Sequence, residues 1–253
     1  MTKSQEPKFK LMRKLVITLS LLLPLLAVAN EGVRLDHAPI DPNDQASLQR
    51  GAKIFVNYCL NCHGAAYMRY NRLKDIGLTD AQIKANLLFA GEKVGETMTV
   101  TMTKKDAKTW FGAPPSDLTI EARARGADWL YTYMRGFYRD DTTSTGWNNT
   151  VFDKVAMPHI LWQLQGQQVL KLEEKVNAHG IKAESHTLAL DKLGTLLPAE
   201  YDATVADLVN YMVYMAEPAQ NQRKHMGLFV LLFLGLFFIL AYYLKKEFWK
   251  DIH

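Results

Sequence analysis

Cysteine is scarce in this chain. Its 253 residues include two, Cys59 and Cys62, so a disulfide-rich scaffold is excluded and at most one bridge could form. A basic surplus is missing from most of the chain as well. Residues 1–29 carry five basic side chains (Lys3, Lys8, Lys10, Arg13, Lys14) and one acid, Glu6, which together are the whole of the +4 net charge. Of the 30 Lys and Arg and 26 Asp and Glu in all, that leaves 25 of each sign for the rest. A nucleic-acid binder carries its positive excess on the folded domain, so no nucleic-acid partner is expected. Internal repeats and low-complexity tracts are absent too, which excludes a solenoid. A chain that is 48% hydrophobic and 22% charged can bury a core, in one or two domains.

Two apolar runs stand out. The first, Leu15 to Ala29, follows a basic flank and closes on Ala27-Val28-Ala29. A basic flank, a short apolar stretch and an A-x-A exit mark residues 1–29 as a secretory signal peptide, cleaved after Ala29. The second, Met226 to Leu244, is free of charge. At 1.5 Å per residue it reaches ~28 Å, close to the apolar thickness of a bilayer. Tyr242, Tyr243 and Trp249 suit the interface, and Lys245, Lys246 and Lys250 suit the cytoplasmic side. The expectation is an exported domain over residues 30–225, a transmembrane anchor at 226–244 and a cytoplasmic tail at 245–253.

Within the exported part the pattern is mainly α with long loops. A helix is predicted from about Ser47, with Leu48, Gly51, Ala52, Phe55 and Cys59 near one face. Residues 79–90 read as a short helix, and Gly112-Ala113-Pro114-Pro115 as a break. A single helix is expected from near Asp117 to Phe137, then a polar loop over 139–150. Residues 166–198 are ambiguous between strand and helix. In the last helix of the domain, Val205, Leu208, Val209, Met212 and Ala216 share a face. Thr204 with Asp207 resembles a capping box, and Glu217-Pro218 should end or kink the helix.

The strongest local signal is Tyr58-Cys59-Leu60-Asn61-Cys62-His63-Gly64. A Cys-x-x-Cys-His run is the attachment signature of a c-type haem. Two thiols one helical turn apart can add to two haem vinyls, and the adjacent His63 then reaches the iron. A thioredoxin-like pair would sit in a βαβ pattern, whereas here the motif closes a helical stretch. A structural zinc site needs more ligands than two cysteines supply. One covalently attached haem c is therefore the expected cofactor.

Electron transfer needs a sixth iron ligand, and a methionine thioether raises the potential relative to a second histidine. Elsewhere the methionines sit in the leader, the apolar run, helical core positions or too near His63, which leaves Met98, Met102 and Met157. Met98 and Met102 lie in a Thr/Lys-rich segment that reads as exposed. Met157, in the apolar, loop-like Val155-Ala156-Met157-Pro158, is the best placed, with His159 as its main rival.

Beyond the haem run, the chain carries Pro114-Pro115-Ser116-Asp117-Leu118-Thr119, Arg123-Ala124-Arg125, Val155-Ala156-Met157-Pro158 and Ala216-Glu217-Pro218 followed by Arg223-Lys224-His225-Met226-Gly227-Leu228. In this combination and order it resembles the cytochrome c1 family, the haem subunit of the cytochrome bc1 complex. The resemblance implies a cytochrome c-like haem domain with one C-terminal transmembrane helix. It implies Met157 as sixth ligand beside His63, Arg125 paired with a haem propionate, and Pro114 and Pro115 lining the pocket. One departure is Ser116, which intervenes where the family has Asp directly after the second proline. The resemblance further implies single-electron transfer from a Rieske iron–sulfur protein to a soluble cytochrome c, beside cytochrome b, with no side-chain catalysis on this chain. The location implied is a bacterial cytoplasmic membrane, haem domain in the periplasm and C-terminus in the cytoplasm. A free-standing membrane-anchored cytochrome c that feeds a terminal oxidase is the alternative expectation.

Overall fold

The computed structural model describes residues 33–100, 102–176 and 182–250, the side chains of 172–186 excepted. The expected signal peptide lies outside the described residues. From Leu35 onward the fold is mainly α, with small two-stranded sheets between helices.

Helix α1 (Gln45–Ile54) starts on Asp44, whose carboxylate accepts from the Ser47 amide at 3.1 Å. This satisfies one of the donors that a helix start leaves free. The helix runs into a single π turn, Phe55–Cys59, which ends where the Leu60 amide donates to the Phe55 carbonyl. Leu48, Gly51, Ala52, Phe55 and Cys59 are buried together, as their spacing predicts. Strand β1 (Ala65–Arg69) pairs with the two-residue β2 (Thr97–Met98). A 3₁₀ stretch, Tyr70–Ile76, and helix α2 (Asp80–Asn86) lie between them. Helix α3 is Lys104–Phe111.

The predicted helix from Asp117 to Phe137 is in fact two, α4 (Glu121–Arg125) and α5 (Ala127–Arg135). Gly126 separates them with φ +90°, a region that L-residues avoid. Strands β3 (Phe137–Arg139) and β4 (Trp147–Asn149) then pair, so the expected polar loop is a hairpin with a strand at its far end. A short helix α6 (Trp162–Gln165) leads to a long antiparallel hairpin, β5 (Gly166–Val176) and β6 (Lys182–Leu193). Of the ambiguous segment 166–198, the described residues up to Leu193 are therefore strand. Gln168 fastens it to the end of α5 and to β3 by donating to the carbonyls of Arg135 and Phe137, each at 2.9 Å.

Helix α7 (Pro198–Ala216) closes the domain against α1. It begins earlier than Thr204. Pro198 takes the first turn, where its missing N–H costs nothing, and the Glu200 carboxylate accepts from the Leu197 amide at 2.9 Å. Thr204 instead donates back to the Glu200 carbonyl, and Asp207 holds Arg50 of α1 through two hydrogen bonds of 2.6 and 2.9 Å. The α1–α7 crossing is tight at Gly51, where an added Cβ would stand 2.0 Å from the Asp207 carbonyl oxygen. Around it Phe55 and Tyr211 are fully buried, ring centroids 5.5 Å apart. Burying one such side chain is worth about 1.5–3 kcal/mol. Asn210, also buried, donates to the Asp41 carbonyl and the Ser47 hydroxyl and so ties the N-terminal loop to α7.

After the break at Glu217-Pro218, helix α8 (Gln220–Phe248) runs 29 residues. It is long and apolar enough to cross a membrane and is not buried by the rest of the chain. Its apolar side chains, Phe229 to Leu244, face outward all round, as expected of a span rather than a core helix.

Candidate functional site

The π turn at the end of α1 places Cys59 and Cys62 at one end of a cavity. His63 follows them, and its ring is fixed from behind: Nδ1 lies 2.7 Å from the Ser116 carbonyl oxygen. A carbonyl can only accept, so Nδ1 carries the proton and the lone pair is left on Nε2. Burial holds His63 below its ordinary pKa, against the opposing pull of the Ser116 carbonyl and of Glu121 and Asp117, and so favours the neutral imidazole that binds a metal.

The segment that follows His63 is clamped to the Pro114–Thr119 segment. The Leu118 amide donates to the Gly64 carbonyl at 2.8 Å, and the Ala66 amide donates to Asp117 at 2.8 Å. Asp117 also accepts from the Thr119 amide. Ser116, which follows the two prolines, thus supplies the carbonyl that orients His63. Fixing a metal-binding histidine through its second nitrogen sets both ring angle and basicity.

The cavity encloses about 1300 Å³ of atom-free space, its open mouth included. Cys59, Cys62 and His63 line it, and so do Pro114, Pro115, Arg125 and Met157. All the residues expected of a haem site therefore meet on one cavity, from segments as far apart as Cys59 and Met157. The remaining wall is largely apolar, including Leu130, Met134, Val155, Ile160, Leu208 and Met212. Arg125 sits with its guanidinium 4.6 Å from the Trp129 ring centre and 3.0 Å from Glu121. It is a half-exposed cation beside an apolar slot, suited to a carboxylate there.

Other sequence candidates lie elsewhere. Met98, expected to be exposed, is fully buried away from the cavity, with its sulfur 3.6 Å from the Tyr211 hydroxyl. Met102 is half-buried and is not part of the cavity wall. His159 does not line the cavity either, although its neighbours Pro158 and Ile160 do. Its ring lies flat on Phe137, centroids 4.8 Å apart, with Trp147 edge-on at 5.1 Å. Burial pushes its pKa down to about 4. Met134 and Met212, read as core, are buried and also touch the cavity.

These residues fit a haem. The walls would exclude water from a large flat apolar group, and an imidazole and a thioether are available as iron ligands. Both thiols are free, and burial raises both, Cys59 to about 12. A redox-active Cys-x-x-Cys does the reverse, lowering a thiol toward its thiolate. Among the described residues no group of three or more metal-ligating side chains forms a site for a bare ion.

Tyr133 is a residue of the site that was not singled out in the sequence. It lines the cavity and its hydroxyl lies 3.5 Å from the Met157 sulfur. The readable signal was the spacing Trp129, Tyr133, Phe137, one aromatic every four residues down a helix and onto the next strand. These rings pack in series, Trp129 on Tyr133 at 4.8 Å and Tyr133 on Phe137 at 5.1 Å.

A sequence profile described as the Cytochrome C1 family matches residues 36–179 and 194–252. The stretch left out, 180–193, contains strand β6. A protein named ammonia monooxygenase gamma subunit, from Nitrosomonas europaea, is 52% identical over 243 residues, covering 96% of this chain and 99% of that relative. Cytochrome c1 of Allochromatium vinosum is 49% identical over 245 residues, covering 96% of this chain and 100% of that relative. A cytochrome b/c1 of Bradyrhizobium diazoefficiens is 26% identical over 254 residues, covering 85% of this chain and 34% of the longer relative.

Proposed function

This chain belongs to the cytochrome c1 family, and from that premise we propose that it is the electron-transfer haem subunit of a bacterial ubiquinol–cytochrome c oxidoreductase. The observation that carries the reading is the convergence of Cys59, Cys62, His63 and Met157 on one apolar cavity. Cys59 and Cys62 would hold one haem c through thioether bonds, with His63 Nε2 and the Met157 sulfur as iron ligands. Arg125 would pair with a propionate, and Pro114 and Pro115 would form part of the wall. Bound there, the haem supplies reversible one-electron exchange, which no side chain of the protein can.

The chain's own contribution is placement and environment. Ser116 keeps the His63 proton on Nδ1, so the ligand nitrogen stays available. The apolar walls exclude water and lower the local dielectric, which strengthens each polar contact left inside. In this reading the Rieske protein delivers the electron, a soluble cytochrome c removes it, and quinol chemistry belongs to cytochrome b. Residues 1–29 act as a cleaved signal peptide. Residues 30–225 form the periplasmic domain, 226–244 the anchor and 245–253 the cytoplasmic tail. Anchoring beside cytochrome b raises the effective concentration of the partners.

The test is purification of the tagged full-length protein from membranes, followed by a haem stain on a denaturing gel. Covalent haem survives denaturation, and cytochrome b and a Rieske protein should accompany it. A colourless band overturns the reading. The 52% identity to a protein named as an ammonia monooxygenase subunit favours a second reading, the same haem domain serving that complex. Recovery of a haem-bearing chain with monooxygenase subunits would support it, and recovery alone would support a free-standing cytochrome feeding an oxidase.

A further inference from the structure

We propose that Tyr133 raises the reduction potential of the site by donating a hydrogen bond from its hydroxyl to the sulfur of Met157. The inference rests on the reading of Met157 as an iron ligand.

The hydroxyl stands 3.5 Å from the sulfur. A thioether sulfur has two lone pairs and is a weak acceptor, so one pair can serve a metal while the other receives the O–H. The donor is not free to swing away. Trp129 stacks on its ring at 4.8 Å and 11°, and Phe137 meets it edge-on at 5.1 Å. Behind the ring, the Tyr133 carbonyl accepts from the buried Asn149 amide at 2.7 Å. A phenol is a neutral donor near neutral pH.

An O–H aimed at the sulfur draws electron density from it. A poorer donor stabilises oxidised iron less than reduced iron, so the reduced form gains and the potential rises. The apolar surroundings leave this small dipole little screened. Tyr133 would thus be a positioning and tuning residue, acting through Met157.

The experiment is Tyr133→Phe in the full-length, haem-loaded protein in its membrane complex. Two quantities are read: the potential by redox titration, and the sulfur-to-ferric-iron charge-transfer band. Phenylalanine keeps the ring contacts and removes the hydroxyl alone. The expected result is retained covalent haem, a retained band and a lower potential. The expected change is about fivefold in the reduced-to-oxidised ratio, or ~40 mV at 59 mV per decade for one electron. An unchanged potential with the band intact overturns this inference and leaves the Met157 reading standing. Absence of the band from the unsubstituted protein overturns both. Loss of haem from Tyr133→Phe overturns the inference by showing a structural role.

Discussion

At the scale of single residues, His63 depends on a backbone atom that no substitution can delete, the Ser116 carbonyl. Asp117 can be changed, and its carboxylate holds the amides of Ala66 and Thr119 on either side of that carbonyl. Asp117→Ala should cost about 1–3 kcal/mol, the range for losing hydrogen bonds to a charged group, and should loosen His63. Denaturant unfolding measures the first effect and ligand-field spectra the second. Met157→Leu should leave haem attached and lower the potential markedly, since a thioether raises it. An unchanged potential would remove Met157 from the ligand set. The Cys-x-x-Cys-His run was legible because haem geometry demands that spacing. Met157 was legible because an apolar loop beside proline suits a ligand. Met98 was misread because its neighbours are threonines and lysines. It lies in a two-residue strand, where side chains alternate between faces, so polar neighbours on the other face say nothing about its own surroundings.

At the scale of elements, packing decides what propensity leaves open. The β5–β6 hairpin uses Leu, Glu and Lys, residues equally at home in a helix. Its pairing, not its composition, makes it a strand, so no local reading could settle it. The split between α4 and α5 turns on one glycine inside an otherwise continuous helical pattern. Gly126→Ala meets no atom within 4 Å, so its cost should be the strain of its backbone (φ +90°, ψ 156°) alone, about 1–3 kcal/mol. Gly51→Ala should cost distinctly more, because its new carbon collides with the backbone of α7 rather than with a flexible side chain. Thermal unfolding of the two variants side by side ranks them. A smaller loss for Gly51→Ala would mean that α1 and α7 can separate cheaply.

At the scale of the whole molecule, the join between the domain and its apolar helix includes a charge cluster. Glu217 pairs with Arg223 at 2.6 Å and with Arg123 at 3.6 Å. Arg223 foremost, with Arg123 helping, holds the Glu217 carboxyl below the ordinary carboxylate range. A carboxyl whose folded pKa is depressed contributes fully above its unfolded value, about 4.3, and the contribution fades as pH falls through the folded value. The join should therefore be constant from neutral pH to about pH 5 and loosen below about pH 4. Hydrogen exchange over residues 217–223, corrected for intrinsic rates, reads this. Glu217→Gln should show the loosened behaviour at pH 7. Added salt should weaken the join as well, since both arginines face solvent.

The seam between α1 and α7 has a consequence for timing. Cys59 is only 7% exposed there, and α7 follows it in the chain by nearly 140 residues. If Cys59 takes a haem as proposed, a chain still open before that helix docks offers the thiol more freely than the closed domain does.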